Sequence, residues 1–303
     1  MTQAPALFDN AVTRDRAQRR MRLGNGVDFL FARAADDLVD RLQPILRPFP
    51  LMLDLGTANG AFYDQLKVMR PESRLVRAAP VLAGSQTDDL VCHIEAQPFG
   101  AESFDLITSG LALQHANDLP GALVQIRRAL KPDGLFIGCL AGGATLTELR
   151  QSFAAAESEL TGGISPRVFP FADVRDMGSL LQRAGFTLPV TDSESVTVRY
   201  RDMFSLMADL RAMGATNTLH ERTRRFTSRA VMLKTAEMYQ SRFADPDGRI
   251  RATFEIIWLT GWAPHDSQQK PLKPGSAKQR LADALGVTEF GVAEFGAGDK
   301  TGS

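Results

Sequence analysis

The chain has 303 residues, 44% of them hydrophobic, and its 35 basic and 35 acidic side chains cancel to a formal charge of zero. That length and apolar content suffice for one large domain or two modest ones with a real core. The balanced charge gives no reason to expect nucleic acid or an acidic surface as the main partner.

In chain order, Arg14, Arg16, Arg19, Arg20 and Arg22 come first. Asp15 interrupts this basic cluster and no clear apolar face accompanies it, so it reads as a solvated helix or arm rather than a membrane device. Val27 to Gln43 carries Leu30, Ala34, Leu38 and Leu42 at helical spacing, and Pro44, Pro48 and Pro50 then stop the helix. Short strand-like runs follow at Leu51 to Leu55, Arg74 to Ala78, Leu90 to Ile94, Phe104 to Ser109 and Leu135 to Leu140. Helical stretches such as Gly60 to Met69 and Leu119 to Leu130 separate them, the latter ending in Lys131-Pro132-Asp133-Gly134. Strands alternating with helices predict an α/β, doubly wound, mostly parallel sheet covered on both faces.

Beyond Gly142 the rhythm changes. Thr145 to Leu160 and Ala172 to Ala184 read as helices, Ser195 to Tyr200 as a strand, and Met203 to Met213 and Ser228 to Phe243 as two more helices. The run Arg251 to Trp262 is β-rich, which makes residues 201–247 a helical insertion before the last strand. Met203, Phe204, Met207 and Met213 read as the packing stripe of that insertion. From residue 263 to 303 the chain is Pro/Gly-rich and is expected to be a mobile tail. Cys92 and Cys139 lie in apolar runs, as buried thiols of a reducing compartment would. No run is long and apolar enough for a transmembrane segment, and no secretory leader is visible, so the expected location is cytoplasmic. No metal site is expected, because His220 and His265 share no ligand-like spacing with the other histidines or either cysteine.

The stretch "LMLDLGTANGAFYDQL", Leu51 to Leu66, has the layout of a cofactor-gripping strand, loop and helix. Gly56 and Gly60 allow a tight turn, and the loop amides and helix N-terminus can donate to a carboxylate. Ala58 stands where such loops often carry a further glycine. A G-x-G-x-x-G fingerprint and a Walker motif are both absent, which argues against a nicotinamide oxidoreductase and against phosphoryl transfer.

With "SFDLITS" and "NDLPGALVQIRRALKPDGLFIG" in the same order, the domain resembles the class I S-adenosylmethionine (SAM) dependent methyltransferases. That resemblance implies a seven-stranded sheet ordered 3-2-1-4-5-7-6 with its last strand antiparallel. Further stretches, "GGATLTELRQSFAAAESELTGGISPRVFPF", "MFSLMADLRAMG" and "GWAPHDSQQKPLKPGSAK", resemble the respiratory complex I assembly-factor family of methyltransferase-like proteins, from about Leu7 to Lys278. Its mitochondrial members are linked to hydroxylation of an arginine on a complex I subunit, and its bacterial members are described as methyltransferases. The expected organisation is therefore an N-terminal arm and helix (1–50), a methyltransferase-like domain (51–262) and the tail. The implied partner is a complex I subunit or assembly intermediate, which would also bring the protein to the periphery of the inner membrane.

The resemblance places SAM against Asp54, Gly56, Thr57, Asn59, Gly60, Ala79, His93, Ile94, Glu95 and Ser109. Gln114 and His115 are the candidate catalytic residues, His115 as a pocket wall or general base, and no residue is given a firm catalytic assignment. Departures cluster at this site. Ala79 replaces the acid that binds the ribose, His93 the acid that contacts adenine, and Ala144 the acid of a Gly-Gly-Asp-Thr-Leu stretch; the family's Leu-His-Trp reads Leu113-Gln114-His115. Hydrogen bonds to charged groups contribute roughly 1.5 to 3 kcal/mol each, so losing two carboxylates weakens SAM binding by about a hundredfold or more. Two functions stay open: a SAM-dependent enzyme acting on a protein arginine or other acceptor, or a non-catalytic assembly protein with a degraded SAM site.

Overall fold

Met52, Leu53 and Leu55 of strand β1 (Leu51–Leu55) are completely buried, and a strand covered on both faces reads as a continuous apolar run. The structure, a computed structural model, describes residues 6–23, 28–82 and 88–269. One compact unit ends at His265 and a second begins at Asp266. The tail expected from residue 263 therefore falls mostly outside the described residues, as does Val27, the expected start of a helix.

After β1 come α3 (Ala61–Met69), β2 (Arg74–Ala79), β3 (Asp89–Val91), β4 (Phe104–Gly110), a 3-10 turn (Leu113–His115), α4 (Leu119–Ala129) and β5 (Leu130–Ala141). The seven-stranded sheet has the order β3-β2-β1-β4-β5-β7-β6. Strands β1 to β5 run parallel, while β7 (Ile250–Trp262) is antiparallel to both β5 and β6 (Thr187–Tyr200). This is the expected fold.

Alternate β1 side chains enter opposite cores. Leu53 and Leu55 join Leu123 and Ile126 of α4 and Leu181 of α6 (Val174–Arg183). Met52 joins Leu38 and Leu42 of α2 (Phe29–Leu42) and Phe62 and Leu66 of α3. Between β6 and β7 lie α7 (Met203–Ala212) and α8 (Arg229–Phe243), which share a third core with α5 (Thr147–Thr161) through Leu149, Phe153, Leu206 and Tyr239. Met203 and Met213 are buried there, but Phe204 is 47% exposed, so the packing stripe is formed by methionines without it.

Three local readings change. Strand β5 starts at Leu130 and runs through the expected Lys-Pro-Asp-Gly turn, with Asp133 in the left-handed region (φ 59) and its carboxylate 2.6 Å from Arg47 Nη1. Strand β6 starts at Thr187 because β7 pairs along its whole length to Trp262, so pairing overrides local pattern. The basic cluster lies on α1 (Asn10–Leu23), where Arg20 is not solvated: it is buried, bonded to the Asp28 carboxylate, with its guanidinium 4.8 Å from the Phe31 ring centroid.

Candidate functional site

The loop leaving β1 is shaped by two glycines in the left-handed region, Gly56 (φ 83) and Gly60 (φ 76). A side chain at 56 would place its Cβ 2.8 Å from Ala112 Cβ and 3.3 Å from Ile94 Cδ1, so both dihedral and space demand glycine. Gly56 N–H donates to the Ala78 carbonyl at 2.6 Å, which ties the loop to the end of β2. Asn59 Oδ1 accepts from the Ala61 N–H at 3.1 Å, an Asx turn at the entry to α3. Thr57 Oγ1 donates to Asp54 Oδ1 at 2.5 Å and accepts from the Gly110 N–H at 3.0 Å, joining the loop to the end of β4.

Asp54 has no exposed surface. Arg77 of β2 and Thr108 of β4 flank it in register, and its Oδ2 has no hydrogen bond of normal geometry. Burial pushes its pKa up to about 7, against the opposing pull of the Thr57 hydroxyl and the Arg77 charge. Arg77 is itself held by Asp89, with Nη2 at 2.6 Å and Nε at 3.0 Å. Asp54 is therefore the floor of the loop and shapes it from below.

At the end of β2, Ala79 is 2% exposed, and its carbonyl accepts from the Cys92 N–H at 3.2 Å. Pro80 follows, so neither position offers a carboxylate to a ribose. Beyond β3, His93 Nδ1 accepts from the Glu95 N–H at 3.3 Å, and the Glu95 carboxylate lies 3.5 Å from the same nitrogen. Glu95 Oε1 also accepts from the Asp118 N–H at 2.5 Å, which pins it to the start of α4. Ile94 is buried against Gly56, and Ser109 is fully buried with its Oγ unpartnered.

Gln114 and His115 sit on the 3-10 turn after β4. Gln114 Nε2 donates to the Leu111 carbonyl at 2.7 Å, leaving Oε1 buried and unpartnered. His115 is partly buried as a residue, but its Nδ1 is shielded and unpartnered, and Phe8 and Phe169 meet the ring edge-on at 5.9 and 5.5 Å. Burial lowers its pKa to about 4, so the imidazole is neutral.

Two parts of the site have no signal in the sequence. Asn117 Oδ1 accepts from the Phe8 N–H at 2.7 Å and Nδ2 returns to the Phe8 carbonyl at 3.2 Å, across 109 positions of chain. Asp9 N–H and the Leu7 carbonyl extend this strap by bonding Thr218 and His220. At the exit of β5, Glu255 of β7 accepts from the Ala144 N–H at 2.8 Å, and its backbone pairs with Thr145 Oγ1. Glu255 thus braces the turn where the family's acid is replaced by Ala144.

The structure brings Asp54, Gly56, Thr57, Asn59, Gly60 and Ile94 together around one loop, with Ser109 beside its Gly110 anchor, and sets His93 and Glu95 side by side. These residues fit the methionine end of SAM: left-handed glycines and a helix N-terminus suit a carboxylate. They do not supply the ribose carboxylate. Surface cavities of about 350 and 310 Å³ open beside α5, and no glycine-loop residue lines either. Among the described residues, no group of three or more His, Cys, Asp or Glu could hold a metal ion, and no helix is long and apolar enough to cross a membrane.

A methyltransferase-domain family model matches residues 27–189. Arginine-hydroxylase NDUFAF5 of Danio rerio is 39% identical over 263 residues, covering 84% of this chain and 82% of the relative. The chain belongs to the methyltransferase family of NDUFAF5. The human NDUFAF5 is 40% identical over 257 residues, covering 82% of this chain and 74% of the relative. A relative with a different name also matches: malonyl-[acyl-carrier protein] O-methyltransferase of Halorhodospira halophila is 32% identical over 255 residues, covering 80% of this chain and 84% of the relative. The solved structure of the YcgJ protein from Bacillus subtilis aligns with a TM-score of 0.51 at 12% identity, covering 77% of this chain and 99% of that one, a likeness of fold alone.

Proposed function

We propose that this chain is a SAM-binding protein of the complex I assembly type, acting on an arginine or other side chain of a protein partner, with a weakened hold on SAM. The observation that supports the reading best is the Asp54–Thr57–Gly110 chain, which keeps the loop in a conformation that can take a carboxylate. Gly56, Thr57, Asn59, Gly60 and the N-terminus of α3 hold the methionine end in this reading, and Ile94 with the His93–Glu95 pair borders the adenine. Bound SAM would supply an electrophilic methyl group. Gln114 and neutral His115 border the acceptor side, where Phe8 and Phe169 exclude water. The relatives' name, arginine-hydroxylase, supports an arginine as the side chain acted on, and says nothing for methyl transfer to it.

Ala79 favours a second reading. With no carboxylate at the end of β2 and the neighbouring Asp89 committed to Arg77, the chain serves as a non-catalytic assembly protein that keeps the fold. Calorimetric titration of the folded protein with SAM and with S-adenosylhomocysteine separates the two. Binding lost in Asp54→Ala supports the first; silence at millimolar ligand supports the second.

A further inference from the structure

Glu148 lies in the first turn of α5 and is buried, with 9% of it exposed. Thr253 of β7 holds both of its oxygens: Oγ1 donates to Oε1 at 2.5 Å and the N–H to Oε2 at 3.1 Å. Both donors are neutral. Among the described residues no arginine, lysine or histidine forms an ion pair with this carboxylate. A carboxylate accepts about four hydrogen bonds, so about two remain open on Glu148.

Glu148 lines the surface cavity of about 350 Å³, where Thr147, Thr197 and Thr253 add hydroxyls and Phe243 adds an aromatic wall. Phe243 is set edge-on against Tyr239 of α8 at 5.7 Å. Among the described residues Arg251 is the one cation lining the cavity, and it is engaged: its Nε lies 3.0 Å from Asp245, which Arg199 shares at 2.7 Å. The turn that leads into α5 leaves the carboxyl end of β5, and parallel β1, β4 and β5 bring that end and the glycine loop to one edge of the sheet. Ligands of doubly wound sheets gather at this edge.

We propose that this cavity binds a guanidinium group, with Glu148 as its counter-charge. A buried acid without a charged partner favours a cation, and a cation that donates several hydrogen bonds meets both the open capacity of the carboxylate and the threonine oxygens. The aromatic wall suits a planar, weakly hydrated guanidinium better than a compact ammonium. The volume is at the small end of ligand sites, enough for a side chain and not for a folded surface. The proposal rests on the reading above for the source of the cation, an arginine side chain of a protein partner; SAM has no part in it.

The test is calorimetric titration of the full chain, without SAM, with N-acetyl-arginine amide, N-acetyl-citrulline amide and agmatine. The arginine amide is expected to bind saturably, and the citrulline amide, which keeps the shape without the charge, about tenfold or more weakly. Glu148→Gln lowers affinity for the arginine amide by about tenfold or more, with folding checked by circular dichroism because the exchange also touches the Thr253 bonds. Thr197→Lys, at an exposed position of β6, brings an ammonium to the cavity and lowers the same affinity at unchanged thermal stability. Equal binding of the arginine and citrulline amides, or no saturable heat at millimolar arginine amide, overturns the proposal. So does wild-type affinity in a folded Glu148→Gln, or in Thr197→Lys should Glu148→Gln not fold. Agmatine binding more tightly than the arginine amide overturns the protein source and assigns the cavity to a free cation. A chain that binds no SAM leaves all these outcomes unmoved, so the two readings fail separately.

Discussion

Thr57 Oγ1 lies 2.5 Å from Asp54 Oδ1, and the same hydroxyl accepts the Gly110 amide at 3.0 Å. One side chain thereby locks the loop to the strand before it and to the end of the next strand in the sheet. All three groups are out of water, so removing the hydroxyl leaves a buried carboxyl and a buried amide without their partner.

Thr57→Val keeps the shape and deletes both bonds. It is expected to destabilise the protein by about 1 to 3 kcal/mol, read as a lower urea midpoint at unchanged slope, and to weaken S-adenosylhomocysteine binding. Thr57→Ser, which restores the hydroxyl, should recover most of both. Equal loss in the two variants would show that the methyl group and not the hydroxyl matters.

Asp54 makes stability depend on pH with a defined sign. Its carboxyl is raised from 3.8 to about 7 in the folded protein, so the unfolded chain releases that proton first as pH rises. The contribution is fully present below 3.8 and is lost on approaching about 7. Asp54→Asn removes the effect, and the stability difference between wild type and variant should drift by about 2 to 4 kcal/mol across that window. His115 acts in the opposite direction: its folded value of about 4 lies below its ordinary 6.5, so stability is lost as pH falls between them. Paired urea titrations over the two windows check both signs.

Much of this was legible in the sequence. The alternation of strands and helices gave the covered sheet, because burial on both faces leaves an unbroken apolar run such as Leu51 to Leu55. Gly56 and Gly60 announced the loop because side-chain-bearing residues resist their dihedrals. Resemblance, rather than periodicity, supplied the strand order. What stayed hidden depends on distant partners. Nothing near Phe8 reveals Asn117, and nothing in Glu255 announces that it braces Ala144. Arg20 looked solvated within its cluster because Phe31 and Asp28 cover it only after α1 and α2 pack.

The strap offers a third prediction. Asn117→Ala removes both side-chain bonds to Phe8 and should free residues 7–9, measured as faster amide exchange at Asp9 and His220, whose amides bond Thr218 and Leu7. Exposure of His115 would then move its pKa up from about 4, visible in its ring proton shifts. Unchanged exchange and an unmoved histidine would show that the aromatic contacts alone hold the arm.

Ala79 gives a gain-of-function prediction. Ala79→Asp places a carboxylate at the end of β2, where a ribose hydroxyl would meet it. One charged hydrogen bond is worth roughly 1.5 to 3 kcal/mol, so S-adenosylhomocysteine should bind about 10- to 100-fold more tightly. A folded Ala79→Asp variant with unchanged affinity would place the nucleoside elsewhere.

The most direct measurement is calorimetric titration of the wild-type chain with S-adenosylhomocysteine, beside Asp54→Ala, with folding verified by circular dichroism. Saturable binding in the wild type, weaker than micromolar and abolished in a folded Asp54→Ala, is the predicted result. No heat from folded wild-type protein at millimolar ligand would contradict the account and leave a methyltransferase-fold protein that works without SAM.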